Sequence, residues 1–295
     1  MCYDSLMEEI KEIKITDKQY PELLKKISDA PKVLYYKGNL GALKNNCFAI
    51  VGTRRPSSYG QQATLQIAGE LADAGLTIIS GMAPGIDTFA HQICVEKNLP
   101  TVAVLGTGLD EKSIYPQTNI ALSRKIIETG GCLISEFKPG TPGFPNNFRQ
   151  RNRIVSALSL GVLIVEAKEK SGSLITAGYA KMQKKKIFAV PGPIYTLNSQ
   201  GPNKLIKEGA TLTESAQDIL DVLEIERPAF AKASAGKASN NTEALILNVL
   251  QQEALYIDTI IKKTELPPSQ IATSLALMEI SGKIRHLGGN VYSLN

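Results

Sequence analysis

Residues 47–80 read CFAIVGTRRPSSYGQQATLQIAGELADAGLTIIS, and the alternation inside this stretch decides the fold. Phe48 to Val51 is a short unbroken apolar run, and so is Thr77 to Ile79. Such runs suit strands covered on both faces, because a half-exposed strand alternates apolar with polar residues. Between them Ala63, Ile67, Leu71 and Ala74 recur on one helical face, and Gly75 supplies a stop. Strand, helix, strand at this spacing implies parallel strands joined by a right-handed crossover.

The same alternation continues outward. Apolar runs recur at Thr101–Leu105, Leu133–Ile134, Val162–Val165 and Ile187–Val190, and a helical pattern over Asn119–Thr129 stops at Gly130 and Gly131. Residues 47–223 are therefore expected to form an α/β domain, a Rossmann-like doubly wound parallel sheet. Residues 1–46 read as an N-terminal lead-in packing on that core, with a short helix over Tyr20–Ile27 and a strand over Val33–Tyr36. Residues 224–240, EIERPAFAKASAGKASN, have little to bury and carry Pro228 and Gly236, which reads as a linker. Residues 241–295 show three amphipathic segments, marked by Leu245 to Leu250, Tyr256 to Thr264 and Pro268 to Ile280. Two short strands follow around Gly288 and Gly289. Three helices and a hairpin predict a small C-terminal winged-helix domain.

Composition narrows the class. The 295 residues are 43% hydrophobic and 21% charged with a net charge of +5, a mildly basic globular balance that permits a polyanionic partner. No apolar run reaches the ~20 residues of a membrane span. The acidic, amphipathic start does not suit a secretory signal. Cys2, Cys47, Cys94 and Cys132 are scattered, with no CxxC, and read as small hydrophobes in a reducing compartment, so a cytoplasmic protein is expected. With His91 and His286 as the only histidines, no metal site is expected.

In an open parallel sheet, ligands bind beyond the carboxyl ends of the strands. Here those ends continue into GTRRPSSYG (52–60), SGMAPGID (80–87), GTGLDEKSIYP (106–116), SEFKPGTPGFPNNFRQRNR (135–153), EAKEKSGSLITAG (166–178) and PGPIYTLNSQG (191–201). Loops rich in Gly, Ser and Thr that open into helices present backbone N–H groups to phosphates. Charge extends the reading to a polyphosphate. Arg54 and Arg55 follow the first core strand, Arg149, Arg151 and Arg153 fall within five residues, and Lys181, Lys184, Lys185 and Lys186 precede the last. The lysine run is read equally well as a solvated helix end. The arginine cluster, taken as part of a strand-end loop, would repel itself without an anion to share. Of the loop aromatics, Tyr115 and Phe144, beside prolines, are expected to anchor their own loops. Phe148, between Asn147 and Arg149, is expected to stack on a base.

Catalytic patterns are missing. Gly106 and Gly108 lack the third glycine of a dinucleotide fingerprint, and no Walker A lysine motif or Ser/His/acid set occurs. Asp87 and His91, four apart, read as a local bond fixing a helix start. Glu136 and Glu166, both ending strands, read as acceptors for rim arginines or backbone groups.

Taken in order, VGTRRPSSYG, SGMAPGID, GTGLD…YP, FRQRNRI, SGSLITAGYA and VPGPI resemble the DNA-processing protein A family (DprA, also called Smf), as does the lead-in YPELLKKISDAPKVLYYKGNL. The resemblance covers the chain from Tyr20 through the tail. It implies a bacterial single-stranded DNA binder of natural transformation that protects incoming DNA and loads a RecA-type recombinase onto it. It further implies a homodimer, with a single-strand-binding protein as a further partner, and no cofactor, no membrane attachment and no enzymatic activity. The nucleic-acid-binding residues expected on these grounds are Gly52, Thr53, Arg54, Ser80, Gly81, Gly85, Gly106, Phe148, Arg151, Asn152, Arg153, Ser171, Gly172, Ser173, Lys185 and Lys186. Arg149 stands where the family usually has proline, and Lys168 and Lys170 flank Ser171 more heavily than the motif requires.

Two rivals differ in class. A phosphoribohydrolase-like nucleotide hydrolase would carry PGG-x-GT with a catalytic Glu, where this chain has SGSLITAG. A transcription factor would read bases through its third tail helix, but PPSQIATSLALMEI contains no Arg or Lys.

Overall fold

Among residues 9–226, 242–251, 253–280 and 282–294, which the computed structural model describes, the run Cys47–Val51 is a central strand of a nine-stranded sheet. In chain order the elements are β1 (Lys11–Lys14), α1 (Glu22–Lys25), β2 (Val33–Gly38), β3 (Cys47–Val51), α2 (Ser58–Asp73), β4 (Thr77–Ser80), α3 (Ile86–Glu96), β5 (Thr101–Leu105) and α4 (Ile120–Glu128). Then come β6 (Cys132–Ser135), α5 (Pro145–Ala157), β7 (Gly161–Ile164), α6 (Ser173–Met182), β8 (Lys186–Ala189), α7 (Gln200–Lys207), β9 (Thr211–Leu212) and α8 (Ala216–Leu223). The sheet order is β1-β2-β6-β5-β4-β3-β7-β8-β9. All six strands read from the apolar runs are parallel. The order reverses at β3, which lies between β4 and β7, and a crevice opens at such a switch point.

Both faces of β3 are covered, which is why its sequence does not alternate. Cys47, Ala49 and Val51 pack with Ile154 and Val155 of α5 and with Ala177 and Ala180 of α6. Phe48 and Ile50 point the other way, onto Ile67 and Leu71 of α2 and onto Ile86 and Ala90 of α3. Phe48 meets Phe188 of β8 edge-on, with centroids 5.5 Å apart. Each fully buried side chain of this size contributes about 1.5–3 kcal/mol. Cys47, Cys94 and Cys132 are buried free thiols, and Cys2 lies outside the described residues.

The lead-in does more than pack on the core. Strand β2 pairs antiparallel with β6, placing Tyr35 opposite Ser135, and β1 adds an antiparallel edge. Only Ile13 of KEIK is buried in β1, too little apolar pattern to be legible in sequence. The expected helix over 20–27 shrinks to α1, entered through Pro21. Tyr20 is buried, and its hydroxyl donates to the Pro31 carbonyl at 2.7 Å.

A second unit begins at Arg227. The linker expected over 224–240 lies outside the described residues from 227 onward. The unit contains α9 (242–250), β10 (Leu255–Tyr256), α10 (Ile257–Thr264), α11 (Pro268–Ile280), β11 (Ile284–Gly288) and β12 (Val291–Leu294). Strand β12 pairs antiparallel with both β10 and β11, one strand more than the expected hairpin. Ile246, Leu250, Leu255, Ile260, Ile271, Leu275, Met278 and Ile284 form the core of this winged helix.

Because each unit closes a core of its own, a chain ending at Glu226 is expected to keep the thermal transition of the first unit. Calorimetry of the full chain should show a second, smaller transition that the shortened chain lacks. Loss of all cooperative unfolding on shortening would contradict this division.

Candidate functional site

The carboxyl ends of the parallel strands open into a cleft of about 710 Å³. The loop after β3 supplies Gly52, Thr53, Arg54 and Arg55; the start of α5 supplies Phe148, Arg149, Arg151 and Asn152; the start of α6 supplies Ser171, Gly172 and Ser173. Lys168, Lys170 and Tyr115 complete the charged and aromatic wall. Arg54, Arg55, Arg149, Lys168 and Lys170 are exposed. Among the described residues none of these five forms an ion pair, and the single carboxylate lining the cleft is Asp87, which is buried.

The floor is built around Arg151. This side chain is 4% exposed, and its guanidinium donates to the carbonyl of Gly81 at 2.6 Å and also to that of Val104. It thereby ties α5 to the ends of β4 and β5. Gly81 is needed here because a Cβ would come within 2.5 Å of the guanidinium. Asp87, at the start of α3, accepts from the amides of Gly81 and Ala83 at 3.0 and 3.4 Å. Burial raises its carboxyl pKa, while Arg151 and these amides pull the other way. Burial also lowers the Arg151 pKa to about 10, with Asp87 opposing, so the guanidinium remains charged at neutral pH. Gly85 holds φ at +85° where the loop turns into α3, and a Cβ there would meet the Thr53 carbonyl at 2.5 Å.

Deeper still lies His91, fully buried, with Nδ1 at 2.8 Å from Thr101 Oγ1. The Thr101 hydroxyl gives its proton to the Ile78 carbonyl, so Nδ1 of His91 is the donor. Burial, then the nearby Arg151 charge, push the His91 pKa down to about 3. The expected Asp87–His91 pairing is thus corrected: Asp87 is committed to the loop amides at the start of α3, and His91 to the Thr101 hydroxyl.

Glu166, just past β7, holds Ser57, the N-cap of α2. It accepts from the Ser57 amide at 2.9 Å and hydroxyl at 2.5 Å, and from Asn198 Nδ2 at 3.3 Å. Asn152 Nδ2 donates to the Gly172 carbonyl at 3.3 Å and so links α5 to the start of α6, whose N-terminal dipole favours an anion in the cleft.

Several expected residues lie elsewhere. Residues 145–157 are a helix, not part of a strand-end loop, and arginines two apart on a helix do not share a face. Arg153 is 9% exposed and pairs with Glu136 at 2.8 Å and Asp29 at 2.9 Å. Burial works against its charge, but these carboxylates outweigh burial and hold its pKa above the ordinary value. The anions that the arginine cluster requires are therefore partly internal to the protein. Ser80 is fully buried and donates to the Ile50 carbonyl at 2.6 Å. Gly81 and Gly106 are buried under the floor, and Gly85 shapes the loop behind it. Lys185 precedes β8 and Lys186 begins it, at the opposite end of that strand from the cleft.

Phe148 is half-buried over Gly106 and against Gly143, with Arg54 6.0 Å above its ring. Tyr115 lies 5.5 Å from it, centroid to centroid. Tyr115 and Phe144 keep 47% and 55% of their surface exposed.

A family model described as DNA recombination-mediator protein A matches residues 11–224, and one described as the DprA winged helix domain matches residues 230–290. Protein Smf of Escherichia coli (strain K12) is 37% identical over 283 residues, 93% of this chain and 75% of that protein. DNA processing protein DprA of Bacillus subtilis (strain 168) is 42% identical over 215 residues, 72% of this chain and 71% of that protein. Of solved structures, DprA from Streptococcus pneumoniae superposes with a TM-score of 0.67 at 40% identity, covering 74% of this chain and 75% of that one. DprA from Helicobacter pylori, whose structure concerns its single-stranded DNA binding mode, gives 0.65 at 32% identity, covering 74% and 96%.

Removing a buried donor leaves its acceptors unsatisfied at about 1–3 kcal/mol each, so Arg151→Ala, which strips the Gly81 and Val104 carbonyls, is expected to cost at least about 2 kcal/mol in urea denaturation. The exposed Arg54→Ala should stay within about 0.5 kcal/mol of wild type. Equal effects would contradict the division into buried and exposed arginines. The His91 ring gives a pH signature. Its folded pKa of about 3 lies below the ordinary 6.5, so the unfolded chain binds the extra proton between those values. Its contribution to stability is present above 6.5 and is lost as pH falls toward 3, at no more than about 1.4 kcal/mol per pH unit. His91→Gln should flatten the pH dependence of stability in that window, and an unchanged slope would rule the effect out.

Proposed function

The chain belongs to the DNA recombination-mediator protein A family, and on that premise we propose that its cleft captures single-stranded DNA irrespective of sequence. The observation that carries this reading is the convergence of five exposed, unpaired cations around one open cleft. Tyr115 and Phe148 stand beside them, and the start of α6 points in. A single strand offers phosphates and unstacked bases together, and this wall offers cations and ring surfaces together. Gly52, Thr53, Arg54, Phe148, Asn152, Ser171, Gly172 and Ser173 are the proposed contact residues from the family motifs. Arg55, Arg149, Lys168 and Lys170 join them, while Arg151 and Arg153 position the wall from behind.

The proposed role is that of a non-enzymatic mediator. It protects incoming strands in natural transformation and loads a RecA-type recombinase onto them. It works as a homodimer in the cytoplasm, with a single-strand-binding protein as a further partner. The family's description as recombination mediators supports the loading step. The single-stranded DNA binding of the Helicobacter pylori relative supports the ligand. The buried carboxylates support a binding rather than a catalytic role: Glu166 is occupied with Ser57 and Asn198, and Asp87 with the loop amides. No described helix is long and apolar enough to cross a membrane.

Fluorescence anisotropy with oligothymidylate and a matched duplex tests this. The single strand should bind more tightly, with a salt slope set by about 0.7 per neutralised phosphate. Arg54→Ala should make that slope shallower by about 0.7. Phe148→Leu should weaken binding by about 1–3 kcal/mol while Phe148→Trp retains it. Equal affinity for both DNAs, or an Arg54→Ala variant with unchanged slope, would remove the cleft from the account.

A further inference from the structure

We propose that a hollow beside the amino ends of β3 and β7 docks an acidic peptide, with a bulky apolar side chain of that peptide on its floor and the peptide's carboxylates on a rim of lysines. The occupant is a protein segment, so the site goes beyond the cleft and does not depend on it.

The hollow measures about 730 Å³, within the roughly 300–1,000 Å³ of sites that enclose a ligand. The lead-in forms most of it. Asn46 and Leu160, which immediately precede β3 and β7, close it from the core, at the opposite ends of those strands from the cleft.

Its floor is apolar. Leu40 and Leu43 stand three apart on a short 3₁₀ helix, Leu40–Lys44, so they present to one side. Leu23 of α1, Tyr36 of β2 and Leu160 complete the floor, and each of these five side chains is only half-buried. Tyr36, Leu40 and Leu43 also pack against the main core, which fixes them in place. Apolar side chains left partly open around one hollow mark a contact surface, as singly scattered ones do not.

Its rim is basic. Lys11 lies directly opposite Tyr36 across the β1–β2 pair, on the face of β1 that carries the buried Ile13. Alternation along the strand therefore turns Lys11 toward the floor and Glu12 away from it. Lys18 comes from the turn after β1, and Lys44 ends the 3₁₀ helix. All three lysines are exposed, and among the described residues none of them forms an ion pair. Among the described lining residues Glu22 is the one carboxylate, and Lys25 already holds it at 3.0 Å. The rim thus carries positive charge that an outside anion must match.

Local explanations cover these lysines singly. Lys11 guards an edge strand against stray pairing, and Lys44 offsets the carbonyl end of its short helix. Neither explains why both converge with Lys18 around one apolar floor. Nucleic acid is the weaker match, because a single strand is gripped through successive ring faces. Here Tyr36 is the one ring left open, among four leucines; Tyr20 is buried. An apolar centre inside a polar rim is the arrangement of a protein contact, and the charge of this rim selects an acidic partner.

The test uses the full chain and the anisotropy of a labelled Asp-Asp-Asp-Asp-Leu-Phe peptide. Wild-type protein should bind it saturably at or below about 1 mM. Ser-Ser-Ser-Ser-Leu-Phe lacks the charge and Asp-Asp-Asp-Asp-Ser-Ser lacks the anchor, so each should bind at least about tenfold more weakly. Lys11→Ala/Lys18→Ala/Lys44→Ala, at exposed positions, should weaken peptide binding about tenfold, the sum of several exposed charge contacts. The same variant should bind oligothymidylate as wild type does, and arginine at the three positions should retain the peptide. Leu40→Ser/Leu43→Ser should also lose the peptide; if that variant fails to fold, the lysine variant decides alone. No saturable binding by wild type, equal binding of the serine-for-aspartate peptide, or an unchanged lysine variant overturns the site. Displacement of the peptide by oligothymidylate would place it in the cleft, and loss of oligothymidylate binding in the lysine variant would make the hollow a nucleic-acid site. Either result overturns the peptide reading.

Discussion

Everything in the cleft depends on one buried guanidinium. Arg151 reaches from α5 into the ends of the central sheet and is held by the carbonyls of Gly81 and Val104, with the Asp87 carboxyl nearby. Strand-end carbonyls of a parallel sheet have no onward partner in the ladder, and a charged donor is a strong way to satisfy them. The bond fixes the axis of α5, and with it the places of Phe148, Arg149 and Asn152 on the cleft wall. Asn152 passes the constraint to α6 through the Gly172 carbonyl. Glu166 performs the matching task on the other side, holding the loop of Arg54 and Arg55 through Ser57, the N-cap of α2. The wall is therefore arranged before any ligand arrives, which lowers the ordering cost of binding.

The basic residues fall into two classes with opposite physics. Arg151 and Arg153 are desolvated and matched to internal acceptors; they hold structure, and stripping either of its partners leaves a buried charge. Arg54, Arg55, Arg149, Lys168 and Lys170 are solvated and unmatched, and neutralising them requires an outside anion. On the proposed reading, the second class would release counterions from bound DNA and so would carry the salt dependence of the cleft.

The fold was legible because burial on both faces leaves a plain mark: the runs at 48–51, 77–79, 101–105, 162–165 and 187–190 became parallel strands of one sheet. Strand β1 left no such mark, with one buried residue in four. The site was legible only in part, because a motif gives proximity and charge but not direction. Ser80 stands in a glycine-rich loop motif, yet it is the last residue of β4 and its hydroxyl turns inward. Arg153 sits two residues from Arg151 and its guanidinium goes to Glu136. For Lys185 and Lys186 a signal was present: residues that precede or begin a parallel strand lie at its amino end, away from the rim where ligands bind. The exposed cations Lys168 and Lys170 were visible beside Ser171, but only the folded loop shows them lining the same cleft as Arg54.

The most direct measurement is hydrogen–deuterium exchange on the full chain with and without saturating oligothymidylate. The account predicts new protection of backbone amides at 52–55, 145–152 and 171–176, with the winged helix over 242–294 unchanged. Protection confined to the winged helix, with those three segments exchanging as in the free protein, would contradict it.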